Sequence, residues 1–356
     1  MKNYKLLVFV VISVIILSSC NIYHISVPED KACFHFEMVE IGGIKQAIMI
    51  KGDNKNNPVI LYLHGGPGFP LFPFEPTETI MKQLEKNYNI VYWEQRGTGK
   101  SWSRRLSSKN MNVEQFVQDT KEVIEYTQKI TGVDKVFIWG HSWGSSIGAL
   151  FASRYPEYLH AYISTGQSVN PLKNERLSYE FVYDKAVKEN RHSVLRQLSK
   201  IDTTAATYKL EDALLIRKWV YRFGGVVRKT NQEKTYINYE EIAAILTASE
   251  YSILDRLSML IYPYYSAQKL WSEIKNINLM EQAKEIDVPV YFIVGRYDYI
   301  VSHILAEKYF NILDAPRGKE LIWFENSAHR PFTEESEKFL EVMNKKILIE
   351  VLARSN

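Results

Sequence analysis

The sequence predicts a doubly wound α/β protein: a mostly parallel sheet of eight strands with a helical cap inserted late in the chain. Three observations predict it. Short runs apolar on both faces alternate with longer stretches of helical period, as a parallel sheet covered by helices requires. A serine flanked by glycines, Gly140-His141-Ser142-Trp143-Gly144, sits between one such run and a helix rich in small residues. From about Pro171 to Ala283 no buried strand is readable, only amphipathic helical stretches.

Taken in order, residues 33–50 hold two alternating runs split by Gly42-Gly43, the turn chemistry of a β-hairpin. Strand candidates follow at Val59–Leu63, Ile90–Trp93, Val136–Trp139, Ala161–Ser164, Val290–Val294 and Leu321–Phe324. These six and the hairpin's two make the eight. Helices fit Thr77–Lys86, Val113–Ile130, Ser145–Arg154 and Glu334–Leu352. The expected division is a catalytic core of residues 33–170 and 284–356 and a helical cap of 171–283, with helices at Tyr179–Leu198 and Ala206–Arg222. The insertion falls between the sixth and seventh strands, which places it above the strand ends.

Composition narrows the function classes. A chain of 356 residues, 46% apolar and 13% aromatic, can bury a large core and still carry a lid. Its 44 Lys and Arg nearly balance 41 Asp and Glu, so there is no basic field to gather nucleic acid. Only Cys20 and Cys33 are present, which excludes a disulfide framework and a cysteine metal site. Cys33 lies in the alternating stretch Ala32–Phe36 and reads as a small strand hydrophobe.

The first twenty residues have the layout of a signal peptide: Lys2 and Lys5, the apolar run Leu6–Leu17, then Ser18-Ser19-Cys20. A helix of about a dozen residues rises only about 18 Å, short of the roughly 30 Å hydrocarbon core. Small residues before Cys20 resemble a bacterial lipoprotein signal. That implies cleavage before Cys20 and lipid on its sulfur, hence an extracytoplasmic, membrane-anchored protein; simple secretion is the alternative.

The chemistry-bearing residues stand at strand ends. After Val136–Trp139, Gly140 and Gly144 let strand and helix approach closely while the turn holds Ser142 in a strained conformation, the context of a nucleophile elbow. A serine hydroxyl needs a base to take its proton and a carboxylate to orient that base. Asp298 lies just past Val290–Val294, and His329 follows Leu321–Phe324, giving the chain order Ser, Asp, His. The chain has 8 histidines. His24, His35, His160, His192 and His303 lack that placement, and His141, adjacent to the nucleophile, is expected to pack or hydrogen-bond near the site. His64-Gly65-Gly66-Pro67-Gly68 closes the strand Val59–Leu63 in a glycine-rich turn suited to an oxyanion hole, with donors assigned to the backbone N–H groups of Gly66 and Trp143. Two preorganised donors of this kind are worth about 3 kcal/mol each. No P-loop lysine follows the glycines, so phosphate binding is disfavoured, and neither metal nor cofactor is called for.

With these motifs in place the chain resembles the prolyl iminopeptidase branch of the α/β-hydrolases. The likeness rests on HGGPG at 64–68, Glu94-Gln95-Arg96-Gly97-Thr98-Gly99-Lys100-Ser101, and HSWGS at 141–145, together with the settings of Asp298 and His329. It implies the α/β-hydrolase fold and release of an N-terminal residue, typically proline, from peptides, or a related small amide or ester hydrolysis. Two departures stand out. Glu94 replaces the family's usual Asp and is expected to keep a structural ion pair with a longer arm; His141 replaces the usual Gly and alters the pocket wall.

An exopeptidase must also hold an ammonium group, for which the cap offers Glu175, Glu180, Glu240 and Glu241, none marked by a motif. Cap aromatics Trp219, Tyr221, Phe223, Tyr262, Tyr264, Tyr265 and Trp271 read chiefly as packing, and the loop Phe69–Phe74 as the better lining for an acyl pocket. The leading reading is a serine hydrolase working through an acyl-enzyme, an aminopeptidase before a carboxylesterase or other small-molecule hydrolase. A non-catalytic surface-binding module is the reading of another class. Oligomeric state and substrate identity are not legible.

Overall fold

A computed structural model describes residues 32–73, 79–103, 105–107, 109–203, 208–228, 239–248, 250–261 and 264–355. The signal segment and Cys20 lie outside the described residues. Among those described, no helix is long and apolar enough to cross a membrane.

The sheet has eight strands: β1 (Cys33–Ile41), β2 (Ile44–Gly52), β3 (Val59–Leu63), β4 (Asn89–Glu94), β5 (Val136–His141), β6 (Leu159–Thr165), β7 (Val290–Gly295) and β8 (Lys319–Phe324), ordered β1-β2-β4-β3-β5-β6-β7-β8. The pairs β1–β2 and β2–β4 are antiparallel, and the pairs from β4–β3 to β7–β8 are parallel. β1 and β2 meet at Gly42-Gly43, whose φ values of 56° and 74° are those of a two-residue hairpin turn matched to strand twist. Every residue of β3, β4, β5 and β7 is buried, the result of covering both faces with helices. Two apolar cores result, one against each face. Ile138, Leu63 and Val294 belong to one, and Ile60, Phe137 and Ile293 to the other.

Between β6 and β7 the described residues form helices, Pro171–Lys188, His192–Leu198, Leu210–Arg222, Tyr239–Thr247, Ile253–Ile261, Tyr265–Ile274 and Leu279–Gln282, and one isolated bridge from Glu285 to Asp314. The first three close over a small core of their own that includes Val182, Val194, Leu198, Ile216 and Val220. Periodicity alone predicts one helix over 179–198. The structure starts it earlier, where Asn170 caps the N–H of Lys173 ahead of Pro171, and breaks it near Asn190, a non-glycine residue at φ 53°. The expected C-terminal helix over 334–352 is likewise divided into Pro331–Glu334, Ser336–Glu341, a π-helical turn at Val342–Ile347 and Leu348–Ser355. Its first break is at Glu335, whose carboxylate accepts from Ser327 Oγ at 2.6 Å and from the Asn326 N–H at 3.0 Å. A local helical pattern does not reveal such a tertiary demand.

Chain direction across the sheet reverses between β3 and β5: β4 lies on one side of β3, and β5 follows on the other. In open α/β sheets the crevice at such a switch point, beyond the C-terminal strand ends, is where ligands bind. The turn after β3 and the turn after β5 both open there.

Candidate active site

At the end of β5 the chain turns sharply through Ser142 into the helix Trp143–Arg154. Ser142 has φ 54° and ψ −120°, a conformation that costs a non-glycine residue roughly 1–3 kcal/mol. The surroundings hold it there: the Ser142 N–H donates to the Thr165 carbonyl at 3.0 Å, and the Ser142 carbonyl accepts from the Ser145 N–H at 2.9 Å. Gly144 permits the close approach, since a Cβ on it would lie 1.9 Å from the Leu63 carbonyl oxygen. Trp143 heads the helix, where backbone N–H groups have no intrahelical acceptor.

Asp298 follows β7 and is 1% exposed. Its Oδ1 accepts from the N–H groups of Ile300 at 3.0 Å and Val301 at 2.8 Å, while Oδ2 lies 2.8 Å from His329 Nδ1. That orientation assigns the Nδ1 proton to the bond with the carboxylate. His329 follows β8, and its own N–H donates to the carbonyl of Val226 in the cap at 3.0 Å. Ser142, His329, Gly66, Pro67 and Trp143 line one cavity of about 240 Å³, with Asp298 behind the imidazole.

Two further imidazoles adjoin the site. The His141 ring centroid is 4.7 Å from that of His329, and His141 Nδ1 lies 3.1 Å from Thr165 Oγ1. Burial, then the neighbouring His329 and Arg330, holds the His141 pKa well below the usual range, so it forms a neutral wall beside His329. His64 is fully buried, and burial pulls it down to about 4. Gln95 ties these turns together: its side-chain amide donates to the His64 carbonyl at 3.2 Å and accepts from the Trp143 indole at 2.9 Å.

Among the described cap carboxylates, the structure brings one to the cavity. Glu175 lines it and is 3% exposed. Glu180 is an exposed partner of Arg176, and the side chains of Glu240 and Glu241 lie outside the described residues. Glu175 is held by Arg217 at 2.6 Å and by the Tyr208 hydroxyl at 2.9 Å. Arg217 and Asn174, which also line the cavity, are marked by no local pattern in the sequence: Arg217 sits 42 residues from its partner Glu175. Among the cap aromatics Trp271 lines the cavity, whereas Trp219 and Phe223 pack against the cap's own core.

Two expectations are corrected. Among the described residues, the loop after Pro67 does not line the cavity: Leu71 and Phe72 turn into the core at 7% and 0% exposure, and Phe74 lies outside the described residues. The ion pair expected of Glu94 is not formed among the described residues; Arg96 pairs instead with Asp119 at 2.6 Å, both fully buried. Glu94 accepts from the Tyr251 hydroxyl and from backbone N–H groups of Lys100, Leu71 and Phe72. Burial pushes its carboxyl up to about 7 against the pull of those donors.

Comparison with known proteins adds family context. The sequence profile described as alpha/beta hydrolase fold matches residues 58–336. A Bacillus subtilis protein named "Probable aminopeptidase YbaC" is 31% identical over 322 residues, covering 90% of this chain and 98% of that one. A proline iminopeptidase of Saccharolobus solfataricus is 25% identical, covering 83% of this chain and 85% of its own. A solved proline iminopeptidase from Mycobacterium smegmatis shares the fold at a TM-score of 0.62 and 17% identity, over 90% of this chain and all of that one (100%).

Proposed function

Since this chain belongs to the α/β-hydrolase fold family, in its prolyl iminopeptidase branch, we propose that it is a serine hydrolase that releases N-terminal residues such as proline from peptides through an acyl-enzyme. The observation that carries this reading is the 2.8 Å contact of Asp298 with His329, on an imidazole that shares one cavity with Ser142. In this reading Ser142 Oγ attacks the carbonyl carbon and His329 takes its proton. The tetrahedral oxyanion faces the N–H groups of Gly66 and Trp143. Collapse breaks the amide C–N bond, with His329 returning the proton to the leaving amine, and water then hydrolyses the ester on Ser142.

Glu175 supplies the anchor for the substrate's ammonium group, being the cap carboxylate at the cavity wall. Glu175→Gln is expected to lower kcat/KM on proline 4-nitroanilide by roughly 10- to 100-fold, the worth of one charge-assisted contact. On 4-nitrophenyl acetate, which has no amine, its effect stays within about threefold. Equal effects on both substrates would remove Glu175 from that role.

One observation favours a second reading. Arg217 already neutralises Glu175, which suits an uncharged acyl group and hence a carboxylesterase. Wild-type turnover of short acyl esters with none of proline 4-nitroanilide would decide for it.

We also infer from residues 1–20 that Cys20 carries lipid after cleavage and anchors the protein outside the cytoplasm. Wild type is expected in the detergent phase of a two-phase partition and Cys20→Ser in the aqueous phase. Identical partitioning of the two would contradict the anchor.

A further inference from the structure

Glu94 ends β4, beside the turn that follows β3, and is wholly shielded from solvent. A carboxylate in such a place is costly unless donors fill its lone pairs. Its donors come from three separate parts of the chain. Leu71, at 3.2 Å, and Phe72 belong to the loop that continues the 64–68 turn; Lys100, at 2.8 Å, belongs to the 97–101 turn; Tyr251 belongs to the cap. The same junction is reinforced by the Lys100 ammonium, which reaches the Asp255 carboxylate of the cap at 3.0 Å and the Glu250 carbonyl at 2.9 Å. Ser266 Oγ, also from the cap, donates to the Gly97 carbonyl at 2.9 Å.

We propose that Glu94 is a positioning residue that locks the Gly66 turn to the cap through Tyr251, so that the oxyanion donors are correctly placed only while the cap is seated. The longer arm is what the position uses. A side chain one methylene shorter brings its oxygens about 1.5 Å less far, too little to hold the loop at Leu71 and reach the cap hydroxyl together. Glu94 touches neither substrate nor nucleophile; it acts through the backbone of the loop. The inference rests on the acyl-enzyme reading of Ser142.

The test uses Tyr251→Phe, Glu94→Gln and Glu94→Asp in the full chain, assayed on whichever of proline 4-nitroanilide and 4-nitrophenyl acetate the wild type turns over. Loss of oxyanion placement lowers kcat roughly tenfold or more in Tyr251→Phe and Glu94→Gln while KM stays within about twofold, and Glu94→Asp falls between them and wild type. Affinity for pyrrolidine-2-boronic acid, which adds to the serine oxygen as a tetrahedral boronate, drops in step with kcat/KM, while affinity for proline itself does not change. A kcat for Tyr251→Phe within about twofold of wild type overturns the proposal, as do parallel losses of boronate and proline affinity, the mark of a merely structural role. Tyr251→Phe removes one hydroxyl only, so it decides the matter if Glu94→Gln fails to fold. A wild type inert to both substrates and to the boronate would instead overturn the reading of Ser142 on which the proposal rests.

Discussion

Ser142→Ala is expected to lower kcat by about 10⁶-fold with little change in KM or in folding. The size follows from the way the residues act as a unit. On the proposed mechanism, removal of Oγ leaves no acyl-enzyme to form, so His329 has no proton to take and Asp298 nothing to orient. What survives is the roughly 10³- to 10⁴-fold advantage over water that the oxyanion donors and binding supply on their own. Folding is spared because alanine removes one oxygen from a half-buried side chain whose backbone bonds to Thr165 and Ser145 remain. Steady-state kinetics beside a thermal melt checks both halves. A kcat within tenfold of wild type would remove Ser142 from the chemistry.

The second large effect is expected of Asp298→Asn, about 10⁴-fold in kcat, and its origin is a tautomer. Asp298 Oδ1 receives the N–H groups of Ile300 and Val301 at 3.0 and 2.8 Å. An asparagine must therefore turn its carbonyl oxygen to those two donors, which leaves its NH₂ group facing His329 Nδ1. Two donors cannot share that contact, so Nδ1 gives up its proton and becomes the acceptor. The proton then sits on Nε2, and His329 can no longer take one from Ser142. Size and shape barely change, so the melting temperature stays close to wild type while the rate collapses. Asp298→Ala, which leaves the imidazole free to choose its tautomer, is expected to lose less. Equal losses in the two variants would show that Asp298 acts by charge alone.

Strands were legible where both faces are covered. Val59–Leu63 and Val290–Val294 are apolar at every position, and a run of that kind has few other uses. The hairpin was legible because a two-residue turn needs the positive φ that Gly42 and Gly43 supply. Ser142, Asp298 and His329 were each readable as residues at a strand end, and the parallel sheet carries such ends to one edge. Helix limits were less legible, because Asn190 and Glu335 break their helices through local caps and tertiary hydrogen bonds that leave no periodic trace.

The cap was legible as helical but not as a pocket wall. Glu175 was one acid among several, and only the packing of Pro171–Lys188 against Leu210–Arg222 separates it from the exposed Glu180. Arg217 and Tyr208, its partners, are distant in sequence. The ion pair that the family resemblance implied for Glu94 is replaced for a physical reason: Arg96 is taken by Asp119, and backbone N–H groups with one phenol hold Glu94 instead. The same bonds draw Leu71 and Phe72 into the core and away from the cavity that the loop was expected to line.

The most direct test of the central claim is the intact mass of the protein after treatment with a fluorophosphonate, followed by peptide mapping. A nucleophilic serine displaces fluoride and gains one phosphonyl group. Ser142 as the activated nucleophile predicts a single adduct on the wild type, located on the peptide carrying Gly140-His141-Ser142, and none on Ser142→Ala. An unmodified wild type, or an adduct that persists in Ser142→Ala, would contradict it.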